Sequence, residues 1–172
     1  MKTVLVTGGI ASGKSEVCRY LSAKGFPVYD SDSRTKGLYV SVPGLVERIE
    51  EAIGLPFAQI GIIFADRSRR EALEAVVFPE VIRDFEAWRM EQEADTVFIE
   101  SAIAAEKTQF RRLYDKILLV RAPLQKRLER NPKTAGRLAA QSPQSIRADF
   151  IIDNDGSLEA LHAKIEEFLK KL

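Results

Sequence analysis

Four residues near the start of the chain have the types and spacing for phosphate chemistry. Gly8, Gly13, Lys14 and Ser15 form the pattern G-x-x-x-x-G-K-S within Gly8-Gly9-Ile10-Ala11-Ser12-Gly13-Lys14-Ser15. Glycines at these places let backbone N–H groups turn inward around the α- and β-phosphates of a nucleotide. Lys14 can reach the β- and γ-phosphates, and the Ser15 hydroxyl can ligate Mg²⁺. The motif demands a buried strand before it and a helix after it. Thr3–Thr7 is a short β-branched apolar run, and Lys14–Lys24 carries Val17, Cys18 and Leu21 on one helical face before Gly25 stops it.

Phosphoryl transfer needs positioning, charge neutralisation and exclusion of water more than covalent participation by the protein. A second clamp on the γ-phosphate calls for cations on a separate element. Arg130 and Arg137, in a basic helix-prone stretch, are the candidates. An acceptor hydroxyl also needs a carboxylate. Asp30-Ser31-Asp32 ends a short apolar run, and carboxylates at i and i+2 leave a strand end on similar headings. Either could serve as base or as a water-mediated Mg²⁺ partner; Asp32 is favoured for the chemistry, and Asp30 could instead cap the next helix. Glu100 ends another apolar run, where it could hold Mg²⁺ through water, cap a helix, or accept from a substrate hydroxyl.

The elements that must position these residues follow from the apolar pattern. Beyond Thr3–Thr7, the runs Pro27–Asp30, Asp95–Ser101, Lys116–Arg121 and Asp149–Asp153 are nearly continuously apolar. That pattern suits parallel strands buried on both faces. A last helix follows Ser157, a suitable N-cap, with Leu158, Leu161, Ile165, Phe168 and Leu172 as its stripe. The expectation is a three-layer α/β fold with a five-stranded parallel sheet, the P-loop NTPase fold.

Residues 33–93 break the alternation. They read as helices over roughly 33–40, Pro43–Ile53, Asp66–Val77 and Pro79–Glu93, with Pro43, Pro56 and Pro79 as punctuation. A stretch of roughly sixty residues is too long for a loop, so it is expected to form a helical acceptor-binding insertion over the carboxyl ends of the strands. The expected organisation is one domain, with core segments 1–32, 94–121 and 148–172, the insertion at 33–93 and a short lid at 122–147.

Composition narrows the class. The chain has 172 residues, 45% hydrophobic and 30% charged, with a net charge of +1. That balance fits a soluble globular protein and not a general nucleic-acid binder. The single cysteine, Cys18, excludes an internal disulfide and reads as a small buried residue. No apolar stretch is long enough to span a membrane, and the first strand runs into glycines and not a cleavage site. A cytoplasmic enzyme, monomeric or weakly oligomeric, is expected. His162, the lone histidine, falls on the polar side of the last helix and reads as a surface residue. Phe85 and Trp88, three apart, read as a core contact.

Several segments, in order along most of the chain, resemble the dephospho-CoA kinase family. They are Thr7-Gly-Gly-Ile-Ala-Ser-Gly-Lys14-Ser15, Pro27-Val-Tyr-Asp30-Ser-Asp32, Ile63-Phe-Ala-Asp66 with Leu73-Glu-Ala-Val-Val-Phe-Pro79, Gln125…Arg130…Arg137-Leu-Ala-Ala-Gln141, and Ala148-Asp-Phe-Ile-Ile-Asp153-Asn154-Asp-Gly156-Ser. The resemblance implies ATP-dependent phosphorylation of the ribose 3′-hydroxyl of dephospho-CoA, with ATP and Mg²⁺. It implies Asp32 as base, Arg130 and Arg137 as lid cations, and Thr7, Asp32 and Glu100 on the acceptor side. ATP would lie against Gly9 to Glu16, with Asn154 and Gly156 near the adenine.

The sequence departs from the family pattern at specific points. Phe78 replaces the His of a His-Pro pair, and Pro56-Phe57 stands where an Asp-Arg pair is expected. Glu16 replaces a Thr, and Asn131-Pro132 interrupts the lid. A kinase of another small acceptor, such as a nucleotide, and a non-catalytic ATP-binding paralogue share the same loop.

Overall fold

Five apolar runs become strands, the three central ones buried along most of their length and the two edge ones at a single residue each. The computed structural model describes residues 1–132 and 146–172. In β1 (Lys2–Thr7), five consecutive residues are buried. It is followed in the chain by β2 (Val28–Asp30), β3 (Thr96–Glu100), β4 (Lys116–Arg121) and β5 (Phe150–Asp153). They form one five-stranded sheet in the order β2-β3-β1-β4-β5, and every pair is parallel. The register sets Glu100 beside both Val6 and Asp30. The carboxyl ends of β1, β2 and β3 therefore lie side by side.

Two helices cover one face of this sheet. α1 (Lys14–Ala23) follows β1, and α6 (Leu158–Leu169) closes the chain. Val17 and Leu21 of α1 and Leu161, Ile165 and Phe168 of α6 join Val4, Val6, Phe98, Leu118 and Ile152 in one core cluster. The alternate strand residues Leu5, Val97, Ile99 and Leu119 point to the opposite face and are also buried. Ser157 caps α6 by accepting from the Ala160 N–H. Leu158, expected on the apolar stripe, is half exposed instead. It is the first residue of the helix, at the end of the stripe and beyond the packed turns.

The chain divides into two units, Met1–Asp30 with Gln92–Leu172, and Ser31–Glu91. The second is helical: α2 (Ser31–Ser41), α3 (Leu45–Ile53), a 3₁₀ stretch Phe57–Ala65, and α4 (Arg67–Met90). Leu45, Ile49 and Ile53 recur every fourth residue and give α3 a buried stripe. Gly54 ends α3 in the left-handed conformation, φ 68°. Asp66 opens α4, its carboxylate accepting from the Arg69 N–H at 3.1 Å.

Two expectations for this unit are corrected. Pro79 does not separate two helices; it lies inside the single helix α4. A mid-helix proline removes one backbone hydrogen bond and costs about 3 kcal/mol. Val77, Phe78, Val81 and Phe85, all buried around it, provide the packing that offsets this. Glu80 is also buried, held by Arg48 and Arg83 at 2.8 Å each. The 3₁₀ stretch was not expected from the sequence; the Phe57 N–H donates to the Glu50 carboxylate at 2.7 Å at its start. The Phe85 and Trp88 rings do meet, 5.9 Å apart, with Phe85 fully buried.

Candidate phosphate-binding site

The loop between β1 and α1 is shaped by three residues with positive φ. Gly8 has φ 150°, Ala11 57° and Gly13 103°. Ala11 holds a left-handed conformation that is uncommon for a residue with a Cβ, a local cost typical of ligand-binding turns. Gly13 is the residue before α1, and a Cβ there would come within 2.2 Å of the Asn154 amide nitrogen. Glycine is required at this point for both reasons. Within the loop, the Ser12 N–H donates to the Gly9 carbonyl at 3.1 Å. Lys14 reaches back over the loop, its Nζ 3.2 Å from the Gly9 oxygen.

The loop carbonyls are held from outside. Arg127 of α5 (Leu124–Arg130) donates from Nε to the Ile10 oxygen at 2.8 Å. Arg130, one turn later, donates to the Ala11 oxygen at 3.2 Å and lies 3.5 Å from the Ser12 and Asn154 oxygens. The Asn154 amide donates to the Ser12 oxygen at 2.9 Å. Cationic and amide donors therefore engage carbonyls of three consecutive loop residues. This braces the backbone in one shape and adds positive charge next to it.

Glu100 meets the loop helix at its first turn. The Ser15 hydroxyl donates to its carboxylate at 2.9 Å. These two hard oxygen donors suit Mg²⁺, which takes few protein ligands and keeps water and phosphate oxygens for the rest. Among the described residues no group of three or more His, Cys, Asp or Glu could hold a metal. The hydroxyls of Thr7 and Ser12 are buried and have no hydrogen-bond partner among the described residues, so polar capacity remains beside the loop. Cys18, directly beneath, is a buried free thiol. Burial pushes its ionisation far up, and the Glu100 carboxylate beside it adds to the effect.

The expected site residues divide by position. Thr7, Gly9 to Glu16, Glu100, Arg130 and Asn154 belong to one unit and converge on the loop or its flanks. Gly156 lies in the turn before α6, facing the Ala160 methyl. Asp32 is exposed in the first turn of α2, in the helical unit. Burial raises the pKa of Tyr39 in the same helix, and the Asp32 carboxylate raises it further. Arg137 lies outside the described residues. Arg127 is a site residue that reading the sequence missed. Its signal was its spacing, three before Arg130, on the same side of a short helix. His162 is also corrected: it is partly buried, its ring centroid 4.2 Å from that of Tyr20 and its Nε2 3.5 Å from Glu16.

A parallel sheet in this strand order, with a glycine loop leading from β1 into a helix, defines the phosphate-binding-loop fold. The family model described as dephospho-CoA kinase matches residues 2–160. A curated dephospho-CoA kinase of Porphyromonas gingivalis is 40% identical over 139 residues, covering 76% of this chain and 68% of its own. One from Thermus thermophilus is 34% identical over 183 residues, covering 97% and 90%. A Thermus thermophilus crystal structure superposes with a TM-score of 0.83 at 33% identity, covering 99% of this chain and 97% of that one. Shikimate kinase from Aquifex aeolicus, at 19% identity and TM-score 0.54, shares the fold. The chain belongs to the dephospho-CoA kinase family.

Proposed function

We propose that this chain transfers the γ-phosphoryl group of ATP to the ribose 3′-hydroxyl of dephospho-CoA, giving coenzyme A, in the cytoplasm and as a monomer or weak oligomer. The observation that carries the reading is the loop itself. Its backbone is bent for phosphate at Ala11 and Gly13 and braced by Arg127, Arg130 and Asn154. It stands in a chain of a family whose members are kinases.

Each step falls to named residues. The loop N–H groups and the N-terminus of α1 bind the phosphate chain. Lys14 neutralises charge on the β- and γ-phosphates, and Arg130 and Arg137 close over the transferring group as lid cations. Ser15, with Glu100 behind it, would hold Mg²⁺, which neutralises charge on the phosphate oxygens when bound. Asn154 and Gly156 lie toward the adenine. Asp32 takes the proton of the acceptor hydroxyl, with Thr7 and Glu100 on the acceptor side. The helical unit supplies the remaining acceptor contacts.

The test is ADP release with Mg·ATP and a panel of acceptors. Turnover is expected with dephospho-CoA and not with nucleoside monophosphates. Turnover only with another acceptor would overturn the substrate assignment. ATP binding without turnover on any acceptor would overturn the enzymatic one.

A further inference from the structure

Glu16 places a negative charge in the first turn of α1, directly after Ser15. Two demands conflict there. A carboxylate in the first turn stabilises a helix by complementing its dipole. The same charge repels a phosphate chain bound at that end. The geometry shows how both are met. Glu16 pairs with Arg19, one turn along the same helix. From α6, His162 brings Nε2 to 3.5 Å of the other carboxylate oxygen. The Glu16 side chain is left only 25% exposed.

His162 is itself fixed. Its ring lies against Tyr20, whose hydroxyl donates to Glu166 at 2.5 Å, and Lys24 pairs with Glu166 at 2.6 Å. The Nε2 atom is shielded from solvent. The α1–α6 face is thus a row of polar contacts running back from the phosphate loop, with Glu16 at its front.

We infer that Arg19 and His162 are positioning residues for the nucleotide. Arg19 pairs with the Glu16 charge and the His162 ring packs beside it, so that the carboxylate is held aside and a triphosphate can occupy the N-terminus of α1. The inference rests on the reading of the loop as the ATP site. Its consequence is specific: Arg19 and His162 matter to nucleotide affinity only because Glu16 is there.

The experiment is an equilibrium titration of ATP without acceptor, paired with kcat at saturating ATP. The proteins are the wild type, Arg19→Gln, His162→Leu, Glu16→Gln, and each of the first two combined with Glu16→Gln. Thermal melts establish that each variant is folded. Arg19→Gln and His162→Leu should each raise the Kd for ATP by about two- to five-fold, the scale of a partly exposed charge contact. kcat should not change. Adding Glu16→Gln should return the Kd to the wild-type value or below it. If wild type binds ATP and the single variants bind equally well, the inference is wrong. The same holds if they lose the same factor with and without Glu16. A wild type that binds no ATP overturns the loop reading and the inference with it.

Discussion

Asn154 and Gly13 approach so closely that the glycine has no room for a side chain. A Cβ on Gly13 would sit 2.2 Å from the Asn154 Nδ2, the atom that also donates to the Ser12 oxygen. Gly13→Ala should therefore be penalised twice, by the collision and by φ 103°. The expected loss is about 1–3 kcal/mol of stability, together with loss of ATP binding. Asn154→Ala removes the collision but uncaps a loop carbonyl, at about 1 kcal/mol. Adding Gly13→Ala to Asn154→Ala should still destabilise, because the backbone strain remains. Chemical denaturation of the four proteins measures this; a double variant as stable as Asn154→Ala alone would show that strain contributes nothing.

Glu100→Gln keeps the shape of the partner to Ser15 and removes its charge. The Ser15 hydroxyl, 2.9 Å away, would retain an acceptor. If Glu100 supports a metal through Ser15 and water, the Mg²⁺ concentration needed for half-maximal activity should rise about ten-fold or more. Thermal stability should change little, since the Ser15 hydroxyl keeps an acceptor of the same shape. An unchanged Mg²⁺ requirement would leave Glu100 with a purely structural part.

How much of this could be read from the sequence depended on the range of the interactions involved. β4 spans Lys116–Arg121 as expected, because four consecutive apolar residues bounded by charged ones are a local signal. The Ser157 cap is equally local. Pro79 misled because its penalty is local while its compensation is not: Phe78, Val81 and Phe85 are buried in a helix that packs against α2 and α3. Arg127 was one basic residue among several between 121 and 147. Only the fold, which sets α5 over the loop, separates it from Lys126. Lys126 reaches instead to the Asp155 carbonyl. His162 looked like a surface residue because its partners, Tyr20 and Glu16, lie more than a hundred residues earlier.

In the proposed reaction, Asp32 is the residue on which the acceptor half turns. It stands exposed in the first turn of α2. Asp32→Asn should lower kcat by about 10²–10⁴-fold, the usual contribution of a general base. The KM for ATP should stay within about two-fold of wild type, since a general base acts on the acceptor hydroxyl and not on the nucleotide. Steady-state kinetics with dephospho-CoA distinguishes the roles: a full kcat would reduce Asp32 to a helix N-terminal charge.

Asp149 offers a prediction about pH. Its carboxylate accepts from Lys116 Nζ and from the Ile117 N–H, both at 2.9 Å, where β4 and β5 begin to pair. The Lys116 contact first, and the Ile117 N–H second, hold its pKa below the ordinary carboxylate range. A carboxyl whose folded pKa is depressed adds stability above its unfolded pKa, about 3.9 for Asp, and that stability is lost as pH falls through the folded value. The pair is well solvated, so the contribution is about 1 kcal/mol or less. Asp149→Asn should thus be destabilised by a constant small amount from about pH 5 to pH 8. The gap to wild type should close below about pH 4, where Asp149 is progressively protonated in both states. Urea denaturation across this range measures the gap. A gap that widens with acid would mean that the charge of Asp149 opposes folding, contrary to the contacts it makes.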